Sequence, residues 1–320
     1  MLQPIADLRS ARWVRLNRVF CAAADCTILY RRGDVILVTY GALVTFGALI
    51  WMLVTGSCLL GHGFPGREVG AFVFGAALSA LAVAHGLWWL THIGTLRHEP
   101  LFGLRRVGFV SWGGLVGAGV FAVAFASANG HALVVVTDAV VRGMFAAYAV
   151  GRIGCLTYGC CYGRVSRGGG VVYRNPASKV IRELGDAPEP RYATQVHSAV
   201  FGVLLFGALN AMPYLQVPAG SITAAACLAY PIGRAWVEVY RERNRYVRSL
   251  FTTGQFACMA MFVAGCALVM LLDRWGNAPA PLPLSAASIR EGLSLAPAMI
   301  PAALVVFVAT SVHWKRLGNW

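Results

Sequence analysis

Arginine and acidic side chains lie inside apolar segments of this chain, where ionisable residues are costly and mark candidate functional sites. One segment, ALVVVTDAVVRGMFAAYAVGRIGCL, holds Asp138, Arg142 and Arg152. At about 100° per residue, both arginines lie about 40° from Asp138 on one helix face. Two guanidiniums and one carboxylate leave a positive face that can take an anion. The alternative is an internal salt bridge that holds helices together.

A second stripe lies in LAYPIGRAWVEVYRER, where Tyr230, Arg234, Glu238 and Arg241 follow at spacings of four, four and three residues. These spacings place the four side chains within about 80° on one helix face. Pro231 removes a backbone donor, which a membrane helix tolerates where it lines a cavity or packs on protein. A structural ion-pair ladder would give the same stripe. Together the two segments predict a buried polar cavity.

The elements that carry these residues have the composition of membrane spans. The 320 residues are 58% apolar and 12% charged, with a mean hydropathy of +0.64, whereas about 25% of a soluble domain is charged. Strand-period alternation is absent, which disfavours a β-barrel. We therefore expect an all-α polytopic membrane protein with about eight transmembrane helices. The apolar runs begin near residues 35, 69, 107, 132, 194, 218, 250 and 292.

The sequence predicts three regions. Residues 1–34 are polar and carry arginines at positions 9, 12, 15 and 18, a spacing typical of a basic helix on an anionic lipid surface. A nucleic-acid partner is not expected. Residues 35–272 form a seven-span membrane domain, and residues 273–320 add a Pro/Ala loop and one further C-terminal transmembrane helix.

Basic residues are divided unequally between the two expected sides of the membrane. Of the 27 Lys and Arg residues, 21 lie on the side of the N-terminal arm and three on the other. The positive-inside rule makes the arginine-rich side cytoplasmic. A binding face for anionic phosphates would produce the same distribution, so the sequence leaves both explanations open.

Three cysteines lie at the end of the first arginine segment and just after it. Cys155, Cys160 and Cys161 lie close in sequence, but zinc usually takes four ligands in paired clusters. We therefore predict no metal site and no cofactor, and interpret the cysteines as packing residues.

Gly113 and Gly114 in SWGGLVGAG indicate close helix packing, or a backbone-lined opening for a ligand.

The chain resembles a known family at these motifs. GRIGCLTYGCCYGR (151–164) resembles the signature of the prolipoprotein diacylglyceryl transferases, in which Gly-Arg-x-Gly precedes a short polar stretch and a late glycine. YPIGRAWVEVYRE resembles the family's Tyr, Arg, Glu, Arg stripe. Further resemblances, in the family's order and within about residues 35–272, are Tyr40-Gly41, Gly113-Gly114, Asp138, RYATQVHS (191–198) and TGQF (253–256).

The resemblance implies a membrane-embedded transferase of the bacterial inner membrane. Such an enzyme moves a diacylglyceryl group from phosphatidylglycerol to the lipobox cysteine of a prolipoprotein, or to another thiol acceptor, and forms a thioether. Arg152 and Arg234 would hold the leaving phosphate, Asp138 and Glu238 would orient them, and Tyr230 would bond to the headgroup. The other residues expected to contact substrate are Tyr40, Gly113, Gly114, Gly151, Gly154, Gly163, Gln195 and Arg241.

This chain departs from the family at the proposed base. The family's histidine is Trp112 here, which leaves His85, His197 or the cationic pocket itself to remove the thiol proton. The signature asparagine is Cys155. Two alternatives follow: the same scaffold with another lipid donor or acceptor on the cytosolic side, and a non-catalytic phospholipid-binding membrane protein.

Overall fold

The computed structural model describes residues 17–96, 108–167, 169–185, 189–242, 253–272, 278–315 and 317. Most of these residues are helical. The helices are α1 (17–25), α2 (Thr39–Gly61), α3 (Gly66–Leu96), α4 (Ser111–Asn129), α5 (Leu133–Tyr158), α6 (Lys179–Leu184), α7 (Thr194–Ala211), α8 (Ser221–Val239), α9 (Thr253–Leu271), α10 (Ala286–Gly292) and α11 (Ala296–Ser311). Three short strands, β1 (Ile28–Arg32), β2 (Val35–Val38) and β3 (Val312–Trp314), form one antiparallel sheet.

Within the described residues, six helical segments are long and apolar enough to cross a membrane, which confirms an all-α polytopic membrane protein. They comprise α2, most of α3, α4, α5, α7 with the short turn after it, and α10 together with α11. The apolar part of α9 is shorter (Gln255–Leu271), and the 19-residue α8 includes Arg234 and Glu238. Each of the eight predicted apolar runs therefore contains a helix.

Two predicted boundaries differ from the structure. The first apolar run begins as strand β2, and α2 starts only at Thr39. The predicted loop over 273–291 is shorter, because α10 starts at Ala286 after a capping box in which Ser285 and Ser288 bond to each other's backbone N–H.

The predicted basic arm is helical over 17–25 and continues into β1, which the sequence analysis did not predict. Arg9, Arg12 and Arg15 lie outside the described residues. Strand β3, at the other end of the chain, pairs with β2 through Val35 and Trp314. The start of α2 and the end of α11 therefore lie at the same end of the bundle.

Helix α2 is packed closely against α5. Gly143 of α5 leaves no room for a side chain, since a Cβ there would lie 2.8 Å from the Trp51 carbonyl oxygen. The indole N–H of Trp51 donates to the Val140 carbonyl oxygen at 3.1 Å, and Thr55 Oγ1 donates to the Ala139 carbonyl oxygen at 3.3 Å. These contacts fix the relative position of the two helices that carry Tyr40 and Arg152.

Asp138 binds the N-terminus of α8. Its Oδ2 accepts from the Gly220 N–H at 2.7 Å, and its Oδ1 accepts from the backbone N–H and the hydroxyl of Thr223 at 2.9 and 2.6 Å. A carboxylate at a helix N-terminus satisfies free N–H groups and the helix dipole. Asp138 is thus 3% exposed and engaged by α8, and its expected part in orienting Arg152 or binding substrate stays a prediction.

Arg142 lies apart from Arg152 although the two share a helix face. Its Nε donates to Asn210 Oδ1 at 2.9 Å, and its Nη1 donates to the Leu282 carbonyl oxygen at 2.7 Å. Ten residues separate Arg142 from Arg152, which is about 15 Å along a helix. Arg142 thus ties the segment before α10 to α5 and α7.

We predict that Asp138→Ala destabilises the protein by about 2–3 kcal/mol, because it leaves the N–H groups at the start of α8 buried without an acceptor. Asp138→Asn should cost less, since the amide keeps one acceptor oxygen. The measurement is thermal unfolding in detergent micelles, with Asp34→Ala as the matched control, since Asp34 is 53% exposed in its pair with Lys315. An unchanged melting temperature in Asp138→Ala would contradict the structural role.

Candidate active site at the C-terminal ends of α5 and α8

A pair of tyrosine rings links the helix of Arg152 to the helix of Arg234. The guanidinium carbon of Arg152 lies 4.7 Å from the centre of the Tyr148 ring. Tyr148 meets Tyr230 of α8 edge to face, with ring centroids 5.7 Å apart. The positive charges of Arg152 and Arg234 both act on the Tyr230 hydroxyl. The side chains predicted from two separate sequence segments are therefore neighbours.

Glu238 holds two arginines of the α8 stripe. Its Oε2 lies 2.5 Å from Arg234 Nη1 and 3.4 Å from Arg241 Nη1. With Arg152, these residues make three guanidiniums and one carboxylate, which we call the arginine cluster. The Nε of Arg241 is buried and has no hydrogen-bond partner within the described part of the chain. The cluster keeps a net positive charge and donors that an anion can accept from.

Gly159 reverses the chain at the end of α5. It adopts φ +76°, and its N–H donates to the Cys155 carbonyl oxygen at 3.0 Å. The Cys160 N–H donates to the Cys155 carbonyl oxygen at 3.1 Å and the Gly159 N–H also reaches the Leu156 carbonyl oxygen at 3.3 Å, which together are the bond pattern of a Schellman cap. Cys161 also has a positive φ, +57°, a strained conformation for a residue with a side chain. This reversal folds the late part of the signature back onto the last turn of α5.

The reversal gathers three thiols beside the arginine cluster. The sulfur atoms of Cys155, Cys160 and Cys161 all lie within 4.8 Å of one another. Hydrogen bonds from Cys155 and Cys160, followed by the charges of Arg241 and Arg152, hold the pKa of the Cys161 thiol well below its usual value. Hydrogen bonds to the other two thiols and burial raise the pKa of Cys160.

Gly163 lies where the signature meets the end of α8. It forms an isolated antiparallel bridge with Arg241, and a Cβ at Gly163 would overlap Tyr192. Arg191 donates to the Gly163 carbonyl oxygen at 3.2 Å and pairs with Glu242 at 3.1 Å. Gly163 is thus a close backbone contact that holds Arg241 beside the signature loop.

Tyr40 and two glycines of α5 border the arginine cluster. Tyr40 packs on Tyr158 with ring centroids 5.7 Å apart, and the charge of Arg152 acts on its hydroxyl. A Cβ on Gly154 would lie 3.2 Å from the Tyr40 ring, so this glycine serves helix packing. A Cβ on Gly151 would meet no described atom within 4 Å, so the backbone there is open to a ligand.

Gln195 supports the signature loop rather than facing an open site. Its Nε2 donates to the Cys160 carbonyl oxygen at 2.8 Å and to the Tyr173 hydroxyl at 2.9 Å. The neighbouring Thr194 hydroxyl donates to the Cys161 carbonyl oxygen at 2.8 Å. The start of α7 therefore fixes both cysteine carbonyls, and a substrate contact of Gln195 stays a prediction.

Gly113 and Gly114 lie at the α3–α4 contact. A Cβ on Gly113 would lie 2.6 Å from the Ala84 Cα atom, and a Cβ on Gly114 would be 3.8 Å from the Ala80 carbonyl oxygen. Close helix packing accounts for Gly113, and it is one of the two interpretations of SWGGLVGAG. A substrate contact of this glycine pair stays a prediction.

Neither candidate histidine faces the arginine cluster. His197 packs on Trp236 and Tyr240, which at 100° per residue lie about 160° and 120° around the helix from Arg234. His85 donates from Nδ1 to the Gly108 carbonyl oxygen at 3.1 Å and stacks on Trp88 of its own helix.

The sequence analysis missed Tyr148. Its position four residues before Arg152 places both side chains on one face of α5, which was the available signal. The aromatic ring lies between the arginine of α5 and the tyrosine of α8, so it links the two predicted groups.

Comparison with known proteins shows which family the chain belongs to. The family profile described as "Prolipoprotein diacylglyceryl transferase" matches residues 27–271. Phosphatidylglycerol–prolipoprotein diacylglyceryl transferase 2 of Clostridium perfringens is 31% identical over 57% of this chain and 70% of its own length. The Clostridium tetani enzyme is 23% identical over 74% of this chain and 93% of its own length. The Aeromonas salmonicida enzyme is 28% identical over 72% of this chain and 84% of its own length. The chain belongs to the prolipoprotein diacylglyceryl transferase family.

Proposed function

We propose that this protein transfers the diacylglyceryl group of phosphatidylglycerol to the lipobox cysteine of a prolipoprotein in the bacterial inner membrane. The names of its relatives support the reaction and both substrates. The observation that carries the proposal for this chain is that Arg152 lies over the Tyr148 ring, which meets the ring of Tyr230, and Tyr230 lies one helical turn before Arg234.

In the proposed reaction, the cysteine thiolate attacks the glyceryl carbon that bears the phosphate. A carbon–sulfur bond forms, the carbon–oxygen bond breaks, and glycerol phosphate leaves with the electron pair. Negative charge on the departing phosphate is stabilised by guanidiniums that are already positioned in a dry site. Arg152 and Arg234 supply this charge, and Glu238 fixes the orientation of Arg234.

The hydroxyl of Tyr230, on which the charges of both arginines act, is the proposed hydrogen-bond donor to the headgroup. Tyr40 borders the same region from α2. The open backbone at Gly151 allows a headgroup to approach α5 closely. Arg241, with its buried Nε unpaired in the described chain, adds a third donor.

The thiol proton requires no histidine in this proposal. The net positive charge of the arginine cluster favours the thiolate over the thiol, because an opposite charge stabilises the ionised form. The proton then leaves to water at the membrane surface. This assignment fits the presence of Trp112 at the family's histidine position.

A second candidate is the same chemistry on the cytosolic side with another donor or acceptor. The excess of basic residues on the site side favours it through the positive-inside rule. Against it, several of these arginines have structural partners. Arg191 binds Glu242 and the Gly163 carbonyl, and Arg182 donates to the Tyr158 hydroxyl. Their presence is therefore explained without a topology signal.

We predict that Arg152→Ala and Arg234→Ala each lower transfer by more than about 100-fold, the usual loss when one positioned donor to a developing charge is removed. The assay follows labelled phosphatidylglycerol onto a lipobox peptide with purified protein, alongside unfolding curves. Arg174→Ala is the matched control, since that side chain is 64% exposed. Near-normal transfer by folded Arg152→Ala would refute the proposal and leave a lipid-binding role.

We predict that His85→Ala and His197→Ala keep transfer within about tenfold of the parent, well short of the 10²–10⁴-fold loss expected for a general base. The pH dependence of the rate should also keep its shape. A loss of more than about 1,000-fold in a variant that still folds would identify that histidine as the base.

We predict that the loop after the signature faces the outside of the cell. In protein lacking Cys26, the cysteine that is exposed, Arg174→Cys should react with an impermeant maleimide in intact cells, and Arg67→Cys at the other end of the bundle should not. The reverse labelling pattern would support the cytosolic candidate.

A further inference from the structure

The three thiols of the signature are close enough to bind one metal ion together. Their sulfur atoms lie within 4.8 Å of one another. Three sulfurs that surround a metal at a bond length of about 2.3 Å are about 4 Å apart, so small side-chain rotations complete the geometry. No fourth His, Cys, Asp or Glu joins this group among the residues that the structure describes.

We propose that Cys155, Cys160 and Cys161 form a three-thiolate site that binds Cu(I), a soft monovalent metal ion. Soft thiolate ligands select Cu(I), zinc and iron–sulfur clusters. Structural zinc is almost always bound by four ligands, and this group offers three. Trigonal coordination by sulfur is therefore the reason to choose Cu(I).

The backbone around the thiols is built to hold them together. The Cys160 carbonyl accepts from Gln195 at 2.8 Å, and the Cys161 carbonyl accepts from Thr194 at 2.8 Å. Cys161 is held at φ +57°, where a residue with a side chain is strained. Strain of this kind persists where the surrounding structure fixes it and is concentrated at functional sites. Packing alone does not require a strained cysteine.

The electrostatic surroundings also suit a charged complex. Each thiol releases its proton to the buffer on binding, and Cu(I) with three thiolates carries two negative charges with no change in oxidation state. The positive charges of Arg152 and Arg241 act on the Cys161 sulfur, so they offset this charge. A buried charge is stable when such partners are present.

The test is titration of reduced full-length protein in detergent with Cu(I), in competition with a chromophoric Cu(I) chelator. We expect one ion per chain and three sulfur ligands by X-ray absorption. Cys155→Ser, Cys160→Ser and Cys161→Ser should each weaken binding by more than about 100-fold. That is more than the loss expected when a residue that only orients a metal ligand is removed.

Cys227→Ser and Cys266→Ser are the matched controls, because these half-buried cysteines of α8 and α9 lie outside the thiol group. Uptake that is absent, or that is equal in all the serine variants, would overturn the proposal. A second measurement needs no variant: Cu(I) should protect the three signature cysteines from alkylation, as read by mass spectrometry. Unchanged alkylation of all three would also overturn it.

Discussion

A carboxylate buried in α5 sets the position of α8, and the site depends on that contact. Asp138 accepts three hydrogen bonds from the first residues of α8, at a depth where an unpaired carboxylate would be very costly. A helix is stiff, so fixing its start also fixes the rotation of its far end. Arg234 follows Gly220 by 14 residues, about 21 Å along the axis. A charge at one end of the bundle therefore orients a guanidinium at the other.

The sequence predicted the α8 stripe correctly as a shared face, because that relation depends only on the helical period. Glu238 contacts both Arg234 and Arg241, as spacings of four and three allow. The partner of Asp138 was not predictable in this way. An angle around a helix does not give the distance along its axis, so a shared face does not show that two side chains meet. The carboxylate oxygens of Asp138 instead accept from backbone N–H groups of another helix. Backbone groups at a helix start have no residue type that marks them.

Long-range pairing was also beyond the sequence. Strand β3 pairs with β2 across almost the whole chain, and a three-residue strand has no periodicity to detect. The sequence analysis noted the three cysteines but could not predict that their sulfur atoms meet. Cys160 and Cys161 follow Cys155 by five and six residues, and their contact with it depends on the left-handed turn at Gly159. A glycine after a helix suggests such a turn, but not which side chains it brings together.

The segment beyond the matched region is packed into the same membrane domain. Helix α11 lies against the start of α2, where Gly41 leaves no room for a Cβ beside Ser311 and the Thr310 hydroxyl lies 3.4 Å from the Gly41 carbonyl oxygen. Ala302 and Met52 are completely buried between these helices and α3. Gly41 directly follows Tyr40, which borders the arginine cluster. The additional C-terminal helix therefore packs against the part of α2 that carries Tyr40. The fit of α2 to α11 constrains where the Tyr40 hydroxyl can lie.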